Sequence, residues 1–520
     1  MASSDDSART SRAVGIDLGT TLSSVAQIND AGEPTVIANA EGELRTPSVI
    51  YFADETVLVG RDAVREAMGN PARAAFNIKR SMGDADFRFT VDGESYTPES
   101  LSALILRKIT QDAAQQIGPI RKAVITVPAY FDDARRKATE DAGGIAGLDV
   151  IDIINEPTAA ALAYGFSGKG DDGVFLVYDL GGGTFDVTVI EKRGNELITL
   201  ATDGDVQLGG KDWDERLVEE LARRFREEFK ADPRDDRAAL AYLTLTAEEA
   251  KKGLSRRKST RVPVSYRGHW GNYEVTRDEF ESLTADLLAM TQLTTEMVLE
   301  EAGVTWAGVN RVVPTGGSTR MPAVLAMLER MSGKPIEIPI PVDDAVAMGA
   351  SIHAAILELH SQDRLVEFTA DTAARLGRIH TTDVASHALG LVIKDHQTLA
   401  YRNDVLIKKN SRLPASVTKT YQTAHDGQTS IVVRVVQGDA PDPEACITLD
   451  AFSITGLPEG RPAGALVKVT FSYDTKGRVH VTAEDVSAAK TMTVEINRTK
   501  GMDPSRITAE MTRLSLKSVE

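Results

Sequence analysis

Two stretches of this chain follow one plan. AVGIDLGTTLSSVAQI and FLVYDLGGGTFDVTVI each set down an apolar strand, an Asp, a tight Gly-rich turn carrying Thr, and a second strand. This weak internal duplication gives the fold two copies of a strand–turn–strand unit to accommodate, and the turn composition says what they can do. Glycine lets the backbone bend until successive N–H groups converge on an anion, and Thr hydroxyls add further donors. The plan differs from a Walker loop, in which a strand runs through G-x-x-x-x-G-K into a helix, and that motif does not occur in the sequence. Asp17 and Asp179, at the strand ends, suit Mg²⁺ held through its waters, because Mg²⁺ dehydrates reluctantly. Two such turns facing each other would grip a polyphosphate from both sides, although either alone is equally well an ordinary hairpin turn.

Two further segments bear on the same chemistry. RVVPTGGSTRMPAVLAMLERM reads as a strand, a turn at Gly316 and Gly317, and a helix whose N-terminal amides suit an anion or nucleotide. Pro314 inside that strand removes a ladder donor, for which the sequence offers no reason. In LTLTAEEAKKGLSRR, Leu243, Ala247, Ala250 and Leu254 make one apolar stripe at helical spacing, while Glu248, Lys251, Lys252 and Ser255 share a second face. On spacing alone that second face is a solvated one with a Glu to Lys pair.

Patterning divides the chain. Residues 13–360 alternate short β-branched runs with longer helix-period stretches, an α/β signature. Within them, TRDEFESLTADLLAMTQLTTEMVLEEAG predicts one helix opened by a capping box of Thr276 and Glu279. Residues 361–386 lack periodicity and read as a linker with a helical turn or two, and 387–500 carry short strands split by Gly, Pro, Asp and Asn, which predicts a compact all-β domain. Asp503 as N-cap and Pro504 at the first helical position start a short helix in 501–520, while 1–12 are a polar, disordered tail. At 520 residues and a net charge of −17, the chain is large enough for several cores and acidic enough to repel nucleic acid and anionic membranes. Its one cysteine, Cys446, leaves no intrachain disulfide and no Cys-based metal cluster, and no apolar run resembles a signal peptide or a membrane span. A soluble cytoplasmic protein is expected.

GIDLGTT, FNIKR, TVPAYFDDARR, INEPTAAALAYG, YDLGGGTFDV, LGGKDWD, EEAKKGLS and GGSTRMP, in this order, resemble the seventy-kilodalton heat-shock chaperones of the DnaK type. The resemblance covers nearly the whole chain. It implies an α/β actin-like nucleotide-binding domain, a duplicated ribonuclease H-like fold, followed by an all-β sandwich that binds peptide. It further implies slow ATP hydrolysis with ATP or ADP and Mg²⁺ as ligands and K⁺ as a further candidate ion. Carried over by position, Gly19, Thr20, Thr21 and Lys79 would meet the β- and γ-phosphates, with Leu22 following them in place of the family's usual Tyr, and Gly181, Gly182, Gly183 and Thr184 would form the opposing turn. Glu248, Lys251, Lys252 and Ser255 would line the adenosine pocket, and Gly316, Gly317, Ser318, Arg320 and Asp343 would close it. Lys79, Glu156, Asp179, Thr184 and Asp186 would serve hydrolysis, with Asp17 and Asp179 on the metal's waters. Pro128 and Arg136 match the segment that relays nucleotide state between domains.

The β-rich part resembles the family more loosely. In its register Tyr421, Ala424, Ile431 and Val433 border a groove for unfolded or apolar peptide segments, although such alternation equally suits a sandwich core. KDHQTLAYRND is longer and more polar than the family's loop with its small apolar arch residues. The family's interdomain leucines are replaced by RIHTTDVASHALG, with Ile379 the sole large aliphatic before Asp383, and only a stub of the helical lid follows Asp503. Weak coupling and fast peptide exchange are expected, since each large side chain left unburied forfeits about 1.5 to 3 kcal/mol. J-domain and nucleotide-exchange co-chaperones are the implied partners. The alternatives are a nucleotide-switched scaffold with one dedicated partner, or an actin-like or sugar-kinase-type ATPase.

Overall fold

The computed structural model describes residues 12–54, 56–166, 172–338, 340–362, 367–395, 398–455, 459–460, 462–474, 479–486, 490–495 and 502–520. Of the tail expected at 1–12, all but Arg12 lies outside the described residues.

Each copy of the repeated plan opens a sheet. Val14–Leu18 turns back antiparallel into Leu22–Ile28, which Pro34–Ile37 extends, while Lys122–Val127 and then Asp149–Asn155 join parallel on the other side. Gly173–Leu180, Phe185–Arg193 and Glu196–Asp205 form the second antiparallel meander, and Val309–Thr315 lies parallel beside its first strand. The two sheets thus repeat one order, a three-strand meander with a parallel strand beside its first member. Val309–Thr315 is an edge of its sheet, with a partner strand on one side only, which is where a strand tolerates a residue that lacks an N–H.

Two helices of small residues lie between the sheets. Glu156–Phe166 reads EPTAAALAYGF and Ala345–His360 reads AVAMGASIHAAILELH, and Ala159, Ala160, Leu162, Ala350 and Ala354 share one buried cluster with Val124, Val177 and Val313 from both sheets. Their backbones nearly touch: a Cβ on Gly349 would sit 1.7 Å from the Ala159 carbonyl oxygen, and one on Gly15 would sit 2.1 Å from the Ser351 nitrogen. Outside this centre, Pro98–Ile117 buries Leu101, Leu104 and Ile109 in one lobe's core. The other lobe packs Trp213, Leu217, Leu221 and Phe225 of Gly210–Phe229 against the stripe Leu243, Ala247, Ala250 and Leu254 of Arg237–Leu254. The single helix expected from Thr276 onward is two, Arg277–Leu283 and Ala285–Glu301, parted at Thr284, whose backbone is non-helical and whose hydroxyl donates to the Phe280 carbonyl. Only half of the capping box forms: the Thr276 hydroxyl accepts the Glu279 N–H at 3.2 Å, while the Glu279 carboxylate pairs with Arg224.

The β-rich part holds two four-stranded sheets. Leu389–Lys394, Tyr401–Ile407, Ser430–Gln437 and Ile447–Thr455 make one, and Ala415–Gln422, Leu466–Tyr473, Val479–Asp485 and Lys490–Glu495 make the other. Leu389, Leu391, Val433 and Val435 from the first meet Val467, Val469, Phe471 and Val481 from the second in one core, as period-two alternation requires.

The described residues of the segment between the two parts, 367–386, carry a helix and a strand. Thr369 caps the helix Ala370–Leu376, Leu376 is buried, and His380–Thr382 then adds a parallel strand to the edge strand Glu196–Asp205. The C-terminal helix forms at Pro504–Ser515 with Asp503 as its cap, but it packs on Asp133–Ile145 and Pro98–Ile117 of the α/β part rather than over the sandwich. Leu514 is buried in that lobe's core, Arg107 donates to its carbonyl, and Ser518–Val519 pairs with Thr56–Val59.

Gly349→Ala drives a methyl into the Ala159 carbonyl with backbone on both sides. We expect about 1 to 3 kcal/mol of destabilisation in denaturant unfolding, with Gly69→Ala, an exposed helical position where a Cβ would meet nothing within 4 Å, as the surface control that leaves the central packing untouched. Equal losses in the two variants would show that the helix contact is not tight.

Candidate functional site

The turns of the two hairpins face each other. A Cβ on Gly182 would lie 1.8 Å from the Thr21 Oγ1 and one on Gly183 would lie 2.4 Å from the Thr20 Cγ2, so only glycine lets the second turn sit against the threonines of the first. The first turn is braced from beneath: the Gly19 N–H donates to Ser23 Oγ at 3.2 Å, Ser48 Oγ donates to the Gly19 carbonyl at 2.8 Å, and the Ser48 N–H donates to the Thr21 carbonyl at 2.8 Å. Leu22 begins the next strand with its side chain exposed. Thr184 is buried and its carbonyl closes the second turn by accepting the Gly181 N–H at 3.0 Å. That turn is tied to its own lobe by Gly210 and Lys211, whose N–H groups donate to the Gly181 and Gly182 carbonyls, and to the facing lobe by Arg80 Nε, which donates to the Gly183 carbonyl at 2.7 Å.

Behind the turns lies a buried acidic cluster. Asp17 and Asp179 occupy equivalent places in their strands, Asp186 stands opposite Asp179 across the hairpin, and Glu156 opens its helix directly after Asn155. Lys79, on the short turn Ile78–Ser81, is the cation in their midst and donates to Glu156 Oε1. Burial, reinforced by Glu156, pushes the Asp17 carboxyl up to about 7 and that of Asp186 to about 8. Burial likewise holds Asp179 well above the carboxylate range, with Glu156 and Asp186 adding to it. Thr126 Oγ1 donates to Asp17 at 3.2 Å, and the Tyr130 N–H donates to Asp186 at 3.0 Å. Four carboxyls around one ammonium leave the cluster short of positive charge, which is the condition a divalent cation would relieve.

The charged helix face divides. Lys251 is buried and turned inward, donating to the Gly210 carbonyl at 2.7 Å and to Asp214 at 2.8 Å, so its ammonium holds the second turn's support rather than facing an open pocket. Ser255 Oγ donates to the Lys251 carbonyl at 3.2 Å, a helix-end bond. Glu248 and Lys252 remain on the outer side, 3.0 Å apart as an ion pair. Gly316 has φ 79°, and a Cβ there would strike the Leu180 carbonyl and Asp179 Oδ1, so the third turn presses against the end of the second hairpin's first strand. Ser318 Oγ reaches the Gly181 carbonyl at 2.9 Å, Gly317 lies beside Asp343, and Arg320 pairs with Asp343, which also meets Arg45 at 3.3 Å. Gly19 to Thr21, Gly181 to Thr184, the acidic cluster and the Gly316 turn are therefore brought together.

A polar path leads out from the cluster. Pro128 ends Lys122–Val127 and its carbonyl accepts the Phe131 N–H, while Arg136 donates to the Phe131 and Ala129 carbonyls and to Asn155. Asn155 Nδ2 donates in turn to Asp383 at 2.6 Å, and Thr158 to the same carboxylate at 3.3 Å. Sequence reasoning missed the contacts of Ser48, Arg80, Asp214, Asn155 and Asp383: Arg80, Asn155 and Asp214 lie inside the quoted FNIKR, INEPTAAALAYG and LGGKDWD, but the partners of all five stand far off in the chain.

In the sandwich the four groove positions part company. Val433 is a correction: it is 1 % exposed and spent on the core between the sheets, where the inward phase of its strand puts it. Ile431 and Tyr421 are half-buried at the core's margin, and Tyr421 donates its hydroxyl to Asp404 at 2.8 Å. Ala424 is exposed in a turn closed by Gln428. In the polar loop, Leu399 and Tyr401 are exposed, and residues 396–397 lie outside the described residues.

The model of the Hsp70 protein family matches residues 13–518. The chain belongs to the Hsp70 family. Among relatives of this Hsp70 chain, the chaperone protein DnaK of Halobacterium salinarum is 39 % identical over 501 residues, covering 95 % of this chain and 76 % of that one. The DnaK chaperones of Thermotoga neapolitana and Thermotoga maritima are each 41 % identical over 487 residues, covering 92 % of this chain and 79 % of theirs. The function of an Hsp70 chain is that of an ATP-dependent molecular chaperone. No helix among the described residues is long and apolar enough to cross a membrane.

Carboxyls raised above their unfolded-chain values favour the folded state fully only below about pH 4, and that stability is lost as pH rises through about 7 for Asp17. Asp17→Asn removes one such group. Thermal unfolding of the nucleotide-free protein should therefore decline less between about pH 5.5 and 8.5 in the variant than in the parent. A steeper decline in the variant would contradict the buried, proton-holding cluster.

Proposed function

We propose that the chain binds Mg²⁺·ATP between the two glycine turns, hydrolyses it slowly, and uses the nucleotide state to govern how the sandwich holds exposed apolar peptide. The observation that carries this is the single buried ammonium of Lys79 among Asp17, Asp179, Asp186 and Glu156, directly behind two turns rich in backbone donors. Asp17 and Asp179 would hold Mg²⁺ through its waters, and the ion, when bound, supplies positive charge beside the phosphates. Gly19, Thr20, Thr21, Gly181, Gly182, Gly183 and Thr184 supply donors to phosphate oxygens on two sides. Lys79 can hold the attacking water and offset negative charge growing on the transferred group, with Asp186 and Glu156 orienting that water. An actin-like arrangement of the two lobes accords with the repeated strand order of the sheets.

On the base side, Glu248 and Lys252 are available to ribose hydroxyls and base edge, and Arg320 can stack once it leaves Asp343. Lys251 contributes by fixing Gly210, and Ser255 by ending the helix. In the sandwich, Tyr421, Ala424 and Ile431 remain candidates for peptide contact. The implied co-chaperones are of the J-domain and nucleotide-exchange kinds, and the compartment is the cytoplasm.

Lys79→Ala should retain ATP binding within a few fold by calorimetry while single-turnover hydrolysis falls by roughly a hundredfold or more, the scale of one electrostatic group at a reacting centre. Hydrolysis at the parent rate in that variant would remove Lys79 from the mechanism. The docked but largely polar linker leads to the companion expectation that release of a labelled apolar peptide changes less than about tenfold between ADP and ATP in stopped flow, a coupling under about 1.4 kcal/mol. A hundredfold acceleration by ATP would show strong coupling despite the missing leucines.

A further inference from the structure

The sandwich touches the α/β part at one point that leads straight to the acidic cluster. His387, in the segment entering Leu389–Lys394, is half-buried, its Nε2 lies 3.1 Å from the Tyr130 carbonyl oxygen, and its ring packs on the Tyr130 ring with centroids 4.3 Å apart. The acceptor is a carbonyl, so Nε2 carries the proton and donates. Tyr130 lies between the strand Lys122–Val127 and the helix Asp133–Ile145, and its own N–H is the group that donates to Asp186 at 3.0 Å. One residue is therefore gripped at its carbonyl and ring by the sandwich side and bonded at its amide to a carboxylate of the cluster. Lys409, held by Asp203 at 2.6 Å, brings its ammonium to 6.0 Å from the Tyr130 ring centroid.

We propose that His387 is a positioning residue for Asp186: docking of the sandwich fixes Tyr130 through His387, and the Tyr130 N–H then holds the Asp186 carboxylate in place. The role of Asp186 in hydrolysis rests on the function proposed above, whereas the His387–Tyr130 contact is independent of it. The Tyr130 carbonyl accepts from a charged ring at least as well as from a neutral one, so the dependence on pH comes from the surroundings of the ring. A proton on Nδ1 would put a positive charge beside Arg136 and Lys409, with Asp132 the opposing carboxylate on that side; Asp133 stands next to Asp132, Asp203 is committed to Lys409, and Asp383 is committed to Asn155 and Thr158. Burial pushes the imidazole below its ordinary range, followed in the same sense by those two cations. The cavity bordered by Phe131, Arg136, Asp383, His387 and Tyr473, with the His353–Asp152 pair at its far wall, lets protons reach the ring. The docked state binds fewer protons at His387 than the undocked one, so docking weakens as pH falls through the ordinary histidine range near about 6.5.

The test uses the full chain with single-turnover ATP hydrolysis followed from about pH 5.5 to 8, and amide hydrogen exchange at Tyr130 corrected for its intrinsic pH dependence. His387→Leu fills the space but removes the donor: hydrolysis should fall roughly three- to tenfold near neutral pH, the rate equivalent of one positioning hydrogen bond, and the Tyr130 amide should exchange faster. His387→Gln keeps a donor without a titrating ring, so it should restore most of the rate and protection while losing the parent's decline below about pH 6.5. Parent and His387→Gln profiles that superimpose, or Tyr130 protection unchanged in His387→Leu, would overturn the proposal. A parent that turns over no ATP at any pH would count against Asp186 as a hydrolytic group, and Tyr130 exchange would still decide the contact.

Discussion

The α/β part depends on how closely two helices of small residues can approach. Glu156–Phe166 and Ala345–His360 are both bounded by sheets, and the contact of Gly349 with the Ala159 carbonyl leaves no room for a methyl between them. Because Glu156 is the first residue of one of these helices and Asp344 immediately precedes the other, the spacing of the helices sets where Lys79's partner stands and where Arg45 and the Asp343 turn close the site. The sheets follow, since each contributes valines to the helices' buried cluster, and with the sheets come the two turns that meet as Gly182 and Gly183 against Thr21 and Thr20. A close-packed interior transmits such a constraint with little compliance.

Charge is the second organising term, and it is arranged at a cost. Burying four carboxyls beside one ammonium raises carboxyl proton affinities, which is why Asp17 and Asp186 sit near neutrality instead of near 4. A folding unit gains nothing from this in the absence of a ligand, and buried like charges are retained where a bound group supplies the missing positive charge. Asp214 has the same burial but a different use: its carboxyl is pushed up to about 7 by burial, opposed by Lys251, and the pair anchors Gly210 beneath the second turn. The two clusters look alike in a sequence of Asp and Lys positions, and only their surroundings separate support from chemistry.

Much of this was legible before the fold was known. The duplicated hairpins, the helical stripe of Leu243, Ala247, Ala250 and Leu254, the alternation of the sandwich strands and the cap at Asp503 are local patterns, and local patterns survive in one dimension. What was not legible is pairing over distance. Lys251 and Ser255 share a face with Glu248 by spacing, yet the side chain of Lys251 turns inward because Gly210 and Asp214 from another helix wait there. Val433 and Ile431 alternate correctly for either a groove or a core, and the second sheet decides for the core at Val433. The oddity of Pro314 was real, and its answer, an edge strand, needed the sheet order. The split at Thr284, where the backbone leaves the helical region, is hidden by the continuous apolar pattern.

The join between the two parts is held without leucines. In the stretch read as a loss of apolar burial, Arg378, His380 and Thr381 are exposed, whereas Val384, Ala385 and Ala388 are buried and Ile379 packs against the core. Yet His380–Thr382 pairs with a sheet edge through its backbone, which needs no particular side chain, and Asp383 receives two donors from the helix start that carries Glu156. Contacts of this sort are directional: each holds only while both partners keep their orientation, and hydrogen bonds to a charged group contribute about 1.5 to 3 kcal/mol. An apolar linker would bind its groove over a range of small displacements, because burial is proportional to area and indifferent to angle. The polar join is instead sensitive to the orientation of Asn155, which sits beside Glu156 in the chain and bonds Arg136 on its other side.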